Sequence, residues 1–351
     1  MNATAVGVPG VTSGPAPRAH TNAPLVRAPF RWWAIGGAAI VAFQLYLYGR
    51  WVNSGAAKPV NPGPTRVPGW MHAAVAAHLV LAGIAVVGCI WWFLLRPWRQ
   101  DRRVLSDGLL MLACLTAFWQ DLGSNAFRYW VVYNAAWPNL GGWYEFIPGW
   151  QSALGNRQAE ATSFFLPMYI ACMFGFTVFG VAALRWLNRR RPGIGRWQLF
   201  AFCWAVMAVI DLVLEVIWVR LGLYSYAGAV KEVTLFYGHH YQFPLYVPVI
   251  WGLGWATLSS LRYFKNDQGE TVVERGISSS SLSHRNKTAV RFLALAAAAN
   301  LNLLVFNVLA WAPASVAGDW PTDVTTRSYF VSGICGPDTT YACPPAGEYA
   351  P

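Results

Sequence analysis

Long apolar runs, broken by short polar or basic stretches, set the pattern of this 351-residue chain. Seven of them approach the roughly 20 residues that a helix needs to cross the hydrocarbon of a bilayer. They cover 31–53, 70–95, 104–121, 161–185, 196–220, 243–263 and 289–313, the third being the shortest. All are too long and too uniformly apolar for the strands of a membrane barrel. The pattern therefore predicts an all-α fold, a polytopic integral membrane helix bundle of about seven transmembrane helices. Residues 1–30 are rich in Ala, Pro, Gly, Thr and Val without a helical period, and read as a disordered tail. The first apolar run begins too late and runs too long to be the core of a signal peptide. Residues 264–288 are Ser-rich and charged, the composition of a flexible loop.

Composition points to lipid as the main solvent. Only 12% of the residues are charged, against about 25% in soluble domains. The 20 Trp and 15 Tyr suit the aromatic belts of a multi-span protein. A net charge of +11 raises nucleic acid as a partner, but Lys and Arg gather at the ends of the apolar runs, so no nucleic acid is expected. With the N-terminus in the cytoplasm and seven crossings, 18 basic residues fall inside and 8 outside, as the positive-inside rule requires. The expected order is a cytoplasmic tail at 1–30 and a bundle over 31–313 with an extracytoplasmic aromatic and polar segment at 121–160. An extracytoplasmic tail at 314–351 completes a multi-pass protein of the plasma membrane. Four of the six Cys lie singly in apolar runs and read as packing residues. Cys335 and Cys343 fall in an oxidising compartment, where a disulfide and two free thiols are both open readings. No Cys or His spacing suggests a metal site.

Chemistry concentrates where polar groups meet apolar surroundings. Ionisable groups at membrane depth cost about 2.5–3.5 kcal/mol on insertion scales, so each is a functional candidate. Asp211 and Glu215 lie four residues apart on one face of the fifth run. Two neighbouring carboxyls suit a proton donor beside an acceptor; pairing with Arg220 or Arg128 is the structural alternative. Asp121 closes the third run, and Asn125 and Arg128 share its face if the helix continues. Glu145 and Glu160 flank an aromatic stretch bent by Gly and Pro. His239 and His240 precede the sixth run; adjacent His serve acid–base roles near neutral pH but are weak evidence for metal. His78, Asn300, Asn302 and Asn307 fit helix–helix hydrogen bonds, with Asn307 also a candidate for ligand contact. The seventh run has no central Lys, which disfavours a retinal Schiff base.

The stretch from Trp119 to Glu160 carries Trp119-Gln120-Asp121, Tyr133-Asn134-Ala135, Asn139-Leu140-Gly141 with Trp143, and Pro148-Gly149-Trp150. In these elements it resembles the AveC-like spirocyclase family, multi-span proteins linked to spiroketal formation in polyketide pathways. Glu160 matches an acid that follows the PGW element in that family. Three positions depart from the pattern: Leu122 replaces a proline after the QD pair, and Ala159 and Ala161 replace prolines around Glu160. The resemblance implies a membrane cyclase acting by acid–base catalysis on a lipophilic polyketide-like substrate, with membrane lipid as surroundings and no cofactor. Asp121, Glu215, Asp211 and Glu160 are then the catalytic candidates. Trp119, Gln120, Asn125, Arg128, Tyr133, Asn134, Trp143, Glu145, His239, His240 and Asn307 are the substrate-binding candidates, with Trp130 among the aromatic walls. The competing readings are an integral-membrane terpene cyclase, a transporter or lipid-binding protein without catalysis, and a structural subunit.

Overall fold

A computed structural model describes residues 29–343 apart from 332, 338 and 341. The expected N-terminal tail therefore lies, up to residue 28, outside the described residues. The chain is mostly helical. Its helices are α1 (Phe30–Asn53), α2 (Gly69–Ile90), α3 (Arg96–Asp101), α4 (Ser106–Leu115), α5 (Thr162–Met168), α6 (Gly175–Arg190), α7 (Arg196–Arg220), α8 (Tyr246–Tyr263), α9 (His284–Ser315), α10 (Thr322–Thr325) and α11 (Ser328–Val331). A π-helical turn at Trp91–Leu95 joins α2 to α3, and a second at Tyr169–Phe174 joins α5 to α6. Pro97 and Pro167 lie beside these turns; a proline withholds one helical N–H, and a widened turn absorbs the mismatch.

Five helical units are long and apolar enough to cross a membrane: Phe30–Asn53, Gly69–Asp101, Tyr169–Arg190, Arg196–Arg220 and His284–Ser315. Their outer faces are apolar. On α7, Val209, Val213 and Ile217 are exposed, while Met207, Asp211, Glu215 and Val219 are buried on the other side. Apolar side chains facing out and carboxyls facing in is the arrangement that lipid as solvent demands. Small residues let the helices approach closely. A Cβ on Gly37 of α1 would lie 1.9 Å from the Leu293 carbonyl oxygen of α9, and one on Gly252 of α8 would lie 2.7 Å from the Ala208 nitrogen of α7.

The third apolar run departs most from expectation. Its helix, α4, stops after 10 residues, a rise of about 15 Å, or half the hydrocarbon thickness. The chain then turns through two short 3-10 turns at Phe118–Gln120 and Gly123–Asn125. The Trp119 indole donates to Asn300 Oδ1 on α9 (2.8 Å) and Gln120 Nε2 donates to the same oxygen (3.0 Å). Those bonds pull the backbone toward α9, and Gly, Ser and Asn that follow are poor helix formers. Asn125 and Arg128 therefore do not share a helical face with Asp121.

Beyond the turns, residues 126–161 form an irregular layer tied by two-residue antiparallel ladders. These are β1 (Val132–Tyr133) with β4 (Tyr224–Ser225), and β2 (Leu140–Gly141) with β3 (Ala159–Glu160). A third ladder joins β5 (Thr234–Leu235) to β6 (Phe243–Pro244). The C-terminal part packs on this layer rather than trailing from it. Tyr329, Phe330, Val331 and Ile334 form one buried cluster with Tyr129 and Val132, and Cys335 is disulfide-bonded to Cys343. Residues 264–288 also differ from the open loop their composition suggests. The Glu270 carboxylate accepts the Gly276 and Ser278 N–H groups (3.0 and 2.6 Å), gathering the chain into turns that bury Val273 and Ile277.

Candidate active site

Two carboxyls from distant parts of the chain face one chamber. The turn after α4 brings Asp121, and α7 brings Glu215. Tyr133, Tyr169, Tyr224 and Tyr226 line the space with Trp130, Trp218, Trp251, Trp255 and Phe306. The chamber measures about 100 Å³. Local structure aims these groups. In the β1–β4 register Tyr133 stands directly opposite Tyr224, so both side chains leave the same face, their ring centroids 6.2 Å apart. Tyr226, two residues on, joins Tyr224 on that side.

Each carboxyl is held by tyrosine. The Tyr133 hydroxyl donates to Asp121 Oδ2 at 2.5 Å and the Tyr169 hydroxyl to Oδ1 at 2.9 Å. The Tyr226 hydroxyl donates to Glu215 Oε2 at 2.5 Å. Glu160, fully buried in β3, sits behind Asp121 and interacts with it directly. Its Oε2 accepts the Tyr144 hydroxyl, whose oxygen in turn accepts the Leu122 N–H (3.1 Å). Burial pushes Asp121 up to about 6 against the pull of hydrogen bonds from Tyr133, Glu160 and Tyr169. Burial, and then the charge of Asp121, holds Glu160 well above the usual carboxylate range. Both carboxyls of the pair are thus biased toward holding a proton, Glu160 more strongly than Asp121.

Asp211 is fully buried one turn from Glu215, with neither carboxyl oxygen hydrogen-bonded, and it does not line the chamber. Arg220 stacks between the Phe236 and Tyr241 rings, 4.1 and 4.0 Å from their centroids, rather than on Glu215. The other sequence candidates spread out. Asn125 accepts the Trp130 N–H and donates to the Val131 carbonyl, closing the turn into the irregular layer of residues 126–161, the lid whose Trp130, Val131 and Tyr133 line the chamber. Asn134 donates to the Gly222 carbonyl at the end of α7 (2.8 Å). Asn307 donates to the Gln120 carbonyl (3.1 Å), and the Trp143 indole donates to the Trp119 carbonyl (2.8 Å). Arg128 is buried outside the chamber lining. Glu145 and His239 are exposed. His240 bonds Asp323 of the C-terminal part (2.8 Å).

Residues that the sequence reading did not single out supply most of the walls. Tyr169, Tyr224, Tyr226, Trp218, Trp251, Trp255 and Phe306 all line the chamber. The spacing Tyr224-Ser225-Tyr226 just past a carboxyl-bearing helix was the available signal; the tryptophans of α7 and α8 look like any interfacial aromatic. Among the described residues no group of three or more His, Cys, Asp or Glu is arranged to hold a metal ion.

Comparison with known proteins places the chain. Searches among curated proteins and among solved structures found no match. A family model described as "Spirocyclase AveC-like" matches residues 101–330, well over half of the chain. Every residue that lines the chamber, from Asp121 to Phe306, falls inside that match, and the chain belongs to the AveC-like spirocyclase family.

Proposed function

We propose that this protein is a membrane-embedded cyclase that uses the chamber for acid–base closure of a lipophilic, polyketide-like substrate. The family suggests a role in polyketide-related cyclisation, and the long apolar helices fit a membrane protein. One observation carries the mechanism: Asp121 and Glu215 face the same aromatic chamber, each steadied by a tyrosine hydroxyl. In a keto-diol, one hydroxyl adds to the carbonyl to give a hemiketal. The Asp121–Glu160 pair delivers its proton through Asp121 to the hemiketal hydroxyl, which leaves as water. The oxocarbenium ion that remains is flanked by carboxylate charge and by the faces of Trp130, Trp218 and Tyr226. The second hydroxyl attacks it and passes its proton to Glu215. One carbonyl and two hydroxyls become a spiroketal and one water, and the acid and base have exchanged one proton.

Asp211 and the ordered amides serve this reading as support: Asn125, Asn134 and Asn307 hold the lid and α9 in register. In the membrane we place the N-terminus inside and the C-terminus outside, with seven crossings of which α4 makes the short third. The lid and the disulfide then face the oxidising side of the plasma membrane. The test is product analysis with a synthetic keto-diol in proteoliposomes. Asp121→Asn and Glu215→Gln each lower turnover by roughly 10²–10⁴-fold while the protein stays folded. Full turnover in either variant sinks the assignment, and cyclisation of an isoprenoid in place of the keto-diol moves it to terpene chemistry.

A further inference from the structure

Two tryptophans that line the chamber carry indole N–H groups without a protein partner. Trp130 is 1% and Trp255 6% exposed, both line the space, and neither Nε1 makes a hydrogen bond. Of the neighbouring polar groups, the Tyr224 hydroxyl also lacks a hydrogen-bond partner, while three others are engaged. The hydroxyls of Tyr133 and Tyr169 are given to Asp121, and that of Tyr226 to Glu215. An indole nitrogen donates and cannot accept, and a buried donor left unmade is costly unless a ligand completes it. The two come from different elements. Trp130 precedes β1 in the lid and leans on Tyr226, 5.1 Å between centroids; Trp255 sits on α8, stacked on Trp251 at 5.5 Å. Aromatic packing fixes both rings, so neither donor is free to swing toward water.

We propose that the Trp130 and Trp255 indole N–H groups are the specificity donors of this chamber, each reading an acceptor oxygen on an otherwise apolar ligand. The assignment rests on the chamber being the substrate site. It adds a chemical requirement that carboxyls and aromatic walls do not impose. A ligand must present ether, carbonyl or hydroxyl oxygens to satisfy both donors, and a hydrocarbon of the same shape leaves both unmade. Sites built around buried hydrogen-bonding groups reject analogues that lack the partner far more strongly than apolar pockets reject a change of size.

The experiment needs no turnover. Full-length protein in lipid nanodiscs, with nitrogen-15-labelled tryptophan, is titrated with two probes: an unsubstituted spiroketal of two six-membered rings, and the spirocyclic hydrocarbon of the same skeleton. Trp130→Phe and Trp255→Phe assign the two indole resonances and keep aromatic walls. The expected result is that the spiroketal shifts both indole N–H signals and binds more tightly than the hydrocarbon. Each variant then lowers that preference roughly twofold to tenfold. Equal binding of both probes, unmoved indole signals, or equal weakening of both probes in the variants overturns the proposal. Should a variant fail to fold, the wild-type titration decides alone. Selective binding without any cyclisation would leave the donors standing and remove the catalytic reading; cyclisation with an unchanged probe preference in the variants would do the reverse.

Discussion

Tyr133→Phe removes one hydroxyl and keeps the ring that packs edge-on against Tyr224. That hydroxyl donates to Asp121 Oδ2 at 2.5 Å and opposes the burial that pushes the aspartate up to about 6. A hydrogen bond to a charged group contributes roughly 1.5–3 kcal/mol, and about 1.4 kcal/mol corresponds to a tenfold change in protonation. The lost donor favoured the carboxylate, so its removal keeps the proton on to higher pH. Half-protonation of Asp121 moves from about 6 to roughly pH 7–8. Infrared difference titration follows the protonated-carboxyl stretch, identified by its loss in Asp121→Asn. The Asp121–Glu160 pair then holds two protons up to the new midpoint. The acid limb of turnover, where the second proton leaves the pair, moves upward by the same interval. A midpoint that stays near 6, or moves down, with the ring packing intact would refute the view that Tyr133 tunes Asp121.

Close helix contact makes a second prediction: Gly37→Ala puts a methyl 1.9 Å from the Leu293 carbonyl oxygen and costs at least about 1–3 kcal/mol. Thermal unfolding in detergent shows the loss, while Gly83→Ala, with open space around it, holds or gains stability. Opening the loop closed by Cys335 and Cys343, eight residues apart, by Cys335→Ser relaxes a constraint of about 2–3 kcal/mol. Proteolysis of the C-terminal part then quickens, and reducing agent has the same effect on the wild type. Membrane orientation is read by single cysteines at Lys58 and at Ser283, labelled with an impermeant thiol reagent on intact cells after the native free thiols are replaced. Lys58 reacts and Ser283 does not; the reverse pattern inverts the topology.

Much of this protein is legible in its sequence because solvent is a local question. Each stretch of 20 apolar residues answers it alone, since a backbone in hydrocarbon must satisfy its own hydrogen bonds, and that singles out the long helices and the carboxyls of α7 that face inward. The pairing of Asp211 with Glu215 on one helical face is equally local. What the linear pattern could not carry is which helix stops early and which side chains meet. α4 ends at Leu115 because Trp119 and Gln120 bond Asn300, 180 residues away. Asp121 and Glu215 line one chamber, and Asp211 does not, with Tyr133 and Tyr224 set opposite each other in its wall by a two-residue ladder. Asn125 and Asn134 look like ligand contacts in the sequence, yet their amides go to backbone groups and, for Asn125, to the Gln158 side chain, which only the folded lid brings near. Helices arise from neighbours in the chain, whereas a chamber arises from long-range hydrogen bonds and packing.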